Sequence, residues 1–237
     1  MNAAASTRLL LIRHAQASFG TDDYDRLSER GLRQAELLAN WLAAQPEQFS
    51  HVVSGAQKRH AQTLQALQAA AHALQKPLPT AEIDADWNEF DHESLLRGYV
   101  AWAPQDPDLP SLQTGHEPDR VQALLGRAFA AWDQGVLDHA MPETLAAFRA
   151  RVRRAHERAQ ARAGSGTALV VSSGGVIARC AQALLDLDEA TTIRHNLSLA
   201  NSGIVEFVHD GGAWNLARWS HLPHLEEEPH RSLRSWY

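Results

Sequence analysis

Along the chain, short apolar runs alternate with longer stretches whose apolar positions recur every three or four residues. Thr7 to Arg13 (T-R-L-L-L-I-R) is apolar nearly throughout, the mark of a strand covered on both faces. Gly31 to Ala44 places Leu32, Ala35, Leu38, Ala39 and Leu42 at helical spacing, and Pro46 closes that helix. His51 to Ser54 predicts a second strand, leading into a helix from about Gln57 to Leu74. Thr80 to Asp84 predicts a third strand. Between Phe90 and Pro142 the pattern loosens, with five prolines and two tryptophans, and reads as a helical insertion or cap. Glu143 to Ala163 predicts a long Arg- and Ala-rich helix, broken by Gly164 to Gly166. Thr167 to Ser172 is the most strand-like run, followed by Gly174-Gly175 and a helix through Leu185. Ile204 to Val208 and Ala213 to Trp219 predict a closing hairpin around Asp210-Gly211-Gly212. The tail from Glu226 is charged and is expected to be loose. Strands separated by helices imply an α/β fold with a largely parallel sheet covered on both faces.

Composition narrows the setting. The chain has 237 residues, 44% hydrophobic and 21% charged, as in a globular protein large enough for one α/β domain with an insertion. Its one cysteine, Cys180, excludes an intrachain disulfide and favours a reducing, cytoplasmic setting. The N-terminal apolar run, Leu9 to Ile12, is too short for a signal-peptide core or a membrane span. A net charge of −6 argues against a nucleic-acid or membrane partner. A small anionic ligand remains compatible, because a pocket depends on local charge.

Open α/β sheets place ligands at the carboxyl ends of their strands. Three loops there carry chemistry: Arg13-His14-Ala15-Gln16, Ser54 to Thr63 with Arg59 at a helix start, and Ser172-Ser173-Gly174-Gly175. Two guanidinium forks and a helix N-terminus suit the oxygens of a phosphate. Other chemistries fit less well. Ser173 lacks the first glycine of a nucleophile elbow, since Val171 stands there. Gly164-Ser165-Gly166 precedes its strand and is no dinucleotide fingerprint, and no Walker loop is present. The 13 histidines show no metal-ligand spacing. His221 and His224 read as packing or surface residues, and the seven tryptophans as core and cap packing.

Leu10 to Gln16, L-S-E-R-G-L-R-Q-A (Leu27 to Ala35), S-x-x-x-x-R-x-x-Q-T (Ser54 to Thr63) and V-V-S-S-G-G-V-I (Val170 to Ile177) together resemble the histidine phosphatase superfamily, in its phosphoglycerate mutase-like branch. Asn201-Ser202 and H-L-P-H-L (His221 to Leu225) also fit. The resemblance implies a three-layer α/β/α sandwich around a mostly parallel sheet. It further implies a single domain over 1–237, in which the loosened pattern at about 90–142 is expected to be a helical insertion over the active site and the charged segment at about 226–237 a loose tail. It implies His14 as the nucleophile that takes up the phosphoryl group, and Arg13 and Arg59, with Gln16 and Ser173, as phosphate ligands. Glu89, in W-N-E-F-D-H, aligns with the acid that protonates the leaving alcohol; Asp86, Asp91 and Glu93 stand close enough to compete. No metal and no cofactor is implied.

Three positions depart from the family pattern. Ala15 replaces a glycine, Gly20 replaces an asparagine, and Ser173 replaces a second histidine, so a charged donor becomes a shorter, neutral one. His92 and His195 are candidates by position to fill that space. The expected function is a metal-independent phosphatase acting on a small phosphomonoester or a phosphorylated protein side chain through phospho-His14, with activity lowered by Ser173. The alternatives are a phosphate-ligand-binding pseudoenzyme and, less favoured, a mutase-type phosphotransferase.

Overall fold

The structure, a computed structural model, describes residues 6–18, 23–111 and 118–236. Its frame is a six-stranded sheet in the order β3-β2-β4-β1-β5-β6. The strands are β1 (Thr7–Arg13), β2 (His51–Ser54), β3 (Glu82–Ile83), β4 (Thr167–Ser172), β5 (Ile204–His209) and β6 (Trp214–His221). β1, β2, β3 and β4 run parallel, while β5 lies antiparallel to β1 and carries β6 on its outer side. The expected closing hairpin is therefore the antiparallel edge of an otherwise parallel sheet.

Seven helices with described ends accompany it: α1 (Glu29–Ala44), α2 (Lys58–Ala73), α3 (His92–Trp102), α4 (Pro118–Asp133), α5 (Leu145–Ala163), α6 (Gly174–Leu185) and α7 (Glu189–Ser198). The pleat sends alternate strand residues to opposite faces. Leu10, Ile12, Val52, Leu169 and Val171 meet Leu38, Leu42, Leu64 and Leu67 of α1 and α2 on one side. Leu9, Leu11, Val53, Ala168 and Val170 meet the larger core on the other, which includes Trp87, Phe90, Trp132 and Phe148. That two-sided burial explains why the strands read as continuous apolar runs.

Several boundaries shift for local reasons. α1 begins at Glu29 because Ser28 accepts a hydrogen bond from Gly31 N and caps the helix. α5 starts at Leu145 behind Thr144, which accepts from Ala147 N. The third strand shrinks to two residues, since Asp84 turns the chain by accepting from Asp86 N. α7 has no counterpart among the expected elements; Asp188 caps it through Thr191 N.

The segment from Glu226 corrects the expectation of a loose tail. Ser235 O accepts from Asn201 N at 2.8 Å, Ser235 Oγ donates to Asn201 Oδ1 at 2.9 Å, and Gln34 Nε2 donates to Leu233 O at 2.7 Å. Charge made the tail look solvated, but its backbone carbonyls supply acceptors that buried donors of the main body need. Within the segment expected as an insertion, Asp106 accepts from Tyr99 Oη at 2.6 Å and from Arg127 Nε at 2.7 Å, tying α3 to α4.

Phe148 links the core to the pocket described below: it is fully buried, stacks on Trp132 at 6.0 Å and lies 5.4 Å from Phe90. Phe148→Ala is expected to cost about 3–5 kcal/mol of unfolding free energy, read as a lower denaturation midpoint. Among the described residues, no helix is long and apolar enough to cross a membrane.

Candidate active site

β1 and β4 end side by side, with Arg13 opposite Ser172. His14 N donates to Ser172 O at 2.8 Å, so the Arg13-His14 turn and the Ser173-Gly174-Gly175 helix start leave the sheet as neighbours. β2 flanks β4, and Gly55 N donates to Val171 O at 3.0 Å, carrying the chain into α2 with Arg59 in its first turn.

The ring of His14 is only 5% exposed. Its Nδ1 lies 2.7 Å from Ala15 O. A carbonyl only accepts, so Nδ1 carries the proton and Nε2 presents its lone pair. Arg59 Nε approaches that lone pair at 3.2 Å. Burial, then the positive charge of Arg59, hold the His14 pKa well below its ordinary value, with His60 and Arg13 adding to the effect. The ring is therefore neutral at pH 7 and directs its nucleophilic nitrogen at a guanidinium.

Arg59 is itself held in place: its Nη1 donates to Asp25 at 2.5 Å and its Nη2 to Gln57 Oε1 at 2.8 Å. Arg13 donates to Leu199 O and, at 3.0 Å, to Trp236 O. Glu89 comes from the stretch after β3. Its Oε2 accepts from Gly175 N at 2.8 Å and its Oε1 from Phe90 N at 3.2 Å, while its own N donates to Gln57 Oε1 at 3.1 Å. Arg13, His14, Arg59 and Glu89 line one cavity of about 220 Å³, shared with Tyr24, Phe90, His92, Asn196, Asn201 and Trp236.

Of the four acidic residues in competition, Glu89 alone lines this cavity. Asp91 caps α3, Asp86 pairs with Arg158 at 2.8 Å, and Glu93 is exposed. Gln16, expected as a phosphate ligand, does not line the cavity: its Oε1 accepts from Ser28 Oγ at 2.9 Å and its N donates to Gln34 Oε1 at 2.8 Å. The loop needs those bonds to turn into α1, and a Cβ on Gly31 would lie 2.0 Å from Gln16 O. Ser173 also stays out of the lining, with 1% exposure and its Oγ 2.7 Å from His60 Nε2. Ala15 packs with Leu27 and Ala35, so its methyl is absorbed by core. Gly20 lies outside the described residues.

Of the two histidines expected near Ser173, His92 lines the cavity beside Tyr24 at 5.6 Å. His195 packs against Trp219 at 4.5 Å and does not line the cavity. The histidine beside Ser173 is His60, which sequence reasoning missed although it follows Arg59 directly. Asp25 and Gln57, the supports of Arg59, carried no motif of their own. Trp236 could not be found without knowing that the tail docks.

The same burial couples the site to pH. His14, His60 and His224 all have lowered pKa values, His224 to about 3, each chiefly through burial. Unfolded, they titrate near 6.5. As pH falls below that value, the unfolded chain takes up protons that the folded chain refuses, so stability drops with acidification. The loss is on the order of 1.4 kcal/mol per pH unit for each such histidine. Urea unfolding at pH 7.5 and pH 5 is expected to show a lower midpoint at the acidic pH.

Sheet order, helix placement and the loops at the strand ends define a phosphoglycerate mutase-like α/β protein. The chain belongs to the histidine phosphatase superfamily (branch 1), whose family model matches residues 9–110 and 108–221. Among solved structures, phosphoglycerate mutase from Bacillus anthracis is 18% identical, with 94% of this chain and 96% of that one covered at a TM-score of 0.66. A mycobacterial glucosyl-3-phosphoglycerate phosphatase is 20% identical over 91% of this chain and 99% of its own, at 0.61. Phosphoserine phosphatase from Entamoeba histolytica, in complex with 3-phosphoglyceric acid, is 18% identical over 92% and 99%, at 0.60. A comparison with curated proteins gives no match.

Proposed function

We propose that the protein is a metal-independent phosphatase that hydrolyses phosphomonoesters of small molecules or of protein side chains in the cytoplasm, through a phosphohistidine at His14. The observation that carries this reading is the buried, neutral His14 ring with its Nε2 3.2 Å from Arg59 Nε, at the base of a cavity that also holds Arg13 and Glu89. The Nε2 lone pair attacks phosphorus, the ester P–O bond breaks, and the leaving alkoxide takes a proton from Glu89. Water then attacks phospho-His14 and gives its proton back to Glu89; the N–P bond breaks and phosphate leaves. Arg59 and Arg13 offset the charge on the transferring oxygens, so the protein supplies mainly position and charge.

A second reading, a phosphate-ligand-binding protein without turnover, is favoured by the neutral Ser173 where the family pattern has a histidine. Hydrolysis of an aryl phosphate in the presence of a chelator separates the two. Turnover that inorganic phosphate inhibits competitively supports the phosphatase, and phosphate binding without turnover supports the alternative. Neither binding nor turnover contradicts both.

A further inference from the structure

The pair of His60 and Ser173 is a buried polar cluster that the steps above leave unused. His60 is fully buried and Ser173 is 1% exposed. His60 Nε2 lies 2.7 Å from Ser173 Oγ, and the His60 ring is 5.6 Å from that of His14. Ser173 sits at the N-cap of α6, yet its hydroxyl makes no capping bond. His60 Nδ1 has no hydrogen-bond partner. The pair thus joins one ring nitrogen and a hydroxyl through a single hydrogen bond, and the other ring nitrogen stays unpaired.

Gly55 decides the tautomer. A Cβ built on Gly55 would lie 2.3 Å from His60 Nδ1, so Nδ1 faces the glycine's Cα at close range. A proton on Nδ1 would press against the Cα hydrogen, whereas a lone pair there accepts a weak Cα–H contact. The proton therefore resides on Nε2 and is donated to Ser173 Oγ. A serine hydroxyl has one proton and two lone pairs. Once Oγ accepts from His60, its own proton is free to be donated elsewhere. β1 and β4 place Ser173 beside His14, with Ser172 O accepting from His14 N at 2.8 Å.

We propose that His60 is a positioning residue for phosphoryl transfer: from outside the cavity lining it orients the buried Ser173 hydroxyl toward the phosphoryl group carried by His14. The idea rests on the phosphohistidine reading above. An imidazole from α2 thereby serves a helix start that has only a serine of its own. Gly55 is part of the device, because any side chain there would collide with the ring that holds Ser173.

A double-mutant cycle tests this. Ser173→Ala is expected to lower kcat for an aryl phosphate by on the order of 10², the cost of one preorganised donor, with a smaller change in KM. His60→Leu is expected to give a similar loss, and the double variant no more than either single one, since both remove the same donor. His60→Gln, whose Nε2 can make the same donation, is expected to recover most of the loss. Additive losses, or an unchanged kcat in Ser173→Ala, would overturn the proposal. Ser173→Ala decides the matter even if His60→Leu fails to fold. Wild-type phosphoenzyme is the separate control: its absence ends the reading of function, whereas its presence with an unaffected Ser173→Ala ends only this inference.

Discussion

His14→Ala should leave a protein that still binds inorganic phosphate but no longer turns over an aryl phosphate. Its kcat is expected to fall by on the order of 10⁴ or more, the scale seen when a covalent nucleophile is removed. Binding should survive because Arg59 keeps its supports in Asp25 and Gln57, and Arg13 keeps its own on Leu199 O and Trp236 O. The alanine also removes the bond from Nδ1 to Ala15 O, so some stability is lost with the ring. His14→Asn addresses that point: its amide can still donate to Ala15 O, yet it offers no nucleophilic nitrogen. Equal and near-complete loss of turnover in both variants, with phosphate affinity within a few-fold of wild type, is the expected pattern. A His14→Asn protein with substantial turnover would show that His14 is structural.

Arg59→Met is the second variant with a large expected effect. The guanidinium stands 3.2 Å from His14 Nε2 and is 3% exposed, so its charge acts in a poorly screened setting. Its removal is expected to lower kcat by about 10²–10³, the cost of an electrostatic contact made as charge develops. Arg59→Lys should not restore activity, because a single ammonium nitrogen cannot reach the separated positions that Nε, Nη1 and Nη2 of the guanidinium fork reach toward the His14 side, Asp25 and Gln57. The variant also carries a sign test. Arg59 is the second cause, after burial, of the lowered His14 pKa. Without that charge the His14 pKa should rise toward 6.5 while staying below it, since burial remains. Imidazole NMR titration reads this directly; a downward move would contradict the electrostatic account.

How much of this could be read in the chain follows from where each signal resides. Strand β1 and the Arg13-His14 turn were legible because a doubly covered strand is apolar without interruption and ends abruptly in charge. Arg59 was legible through its spacing from Ser54 and Thr63. Glu89 could not be separated from Asp86, Asp91 and Glu93 by sequence, since the difference is only which carboxylate meets the Gly175 amide. Gln16 was expected as a phosphate ligand through the family resemblance, but its side chain accepts from Ser28 Oγ, the cap of α1, and its backbone N donates to Gln34 Oε1. The tail misled for a general reason: a polar segment docks when its carbonyls match buried donors, and those donors are distant in sequence. His60 was hidden by the family pattern itself, in which its position is unspecified.

The central claim is the covalent intermediate on His14. Wild-type protein mixed with radiolabelled phosphomonoester, quenched within milliseconds and digested, is expected to yield label on the peptide containing His14, stable in alkali and lost in acid. Label on any other residue, or label that survives acid and is lost in alkali as a serine ester would be, would contradict the account.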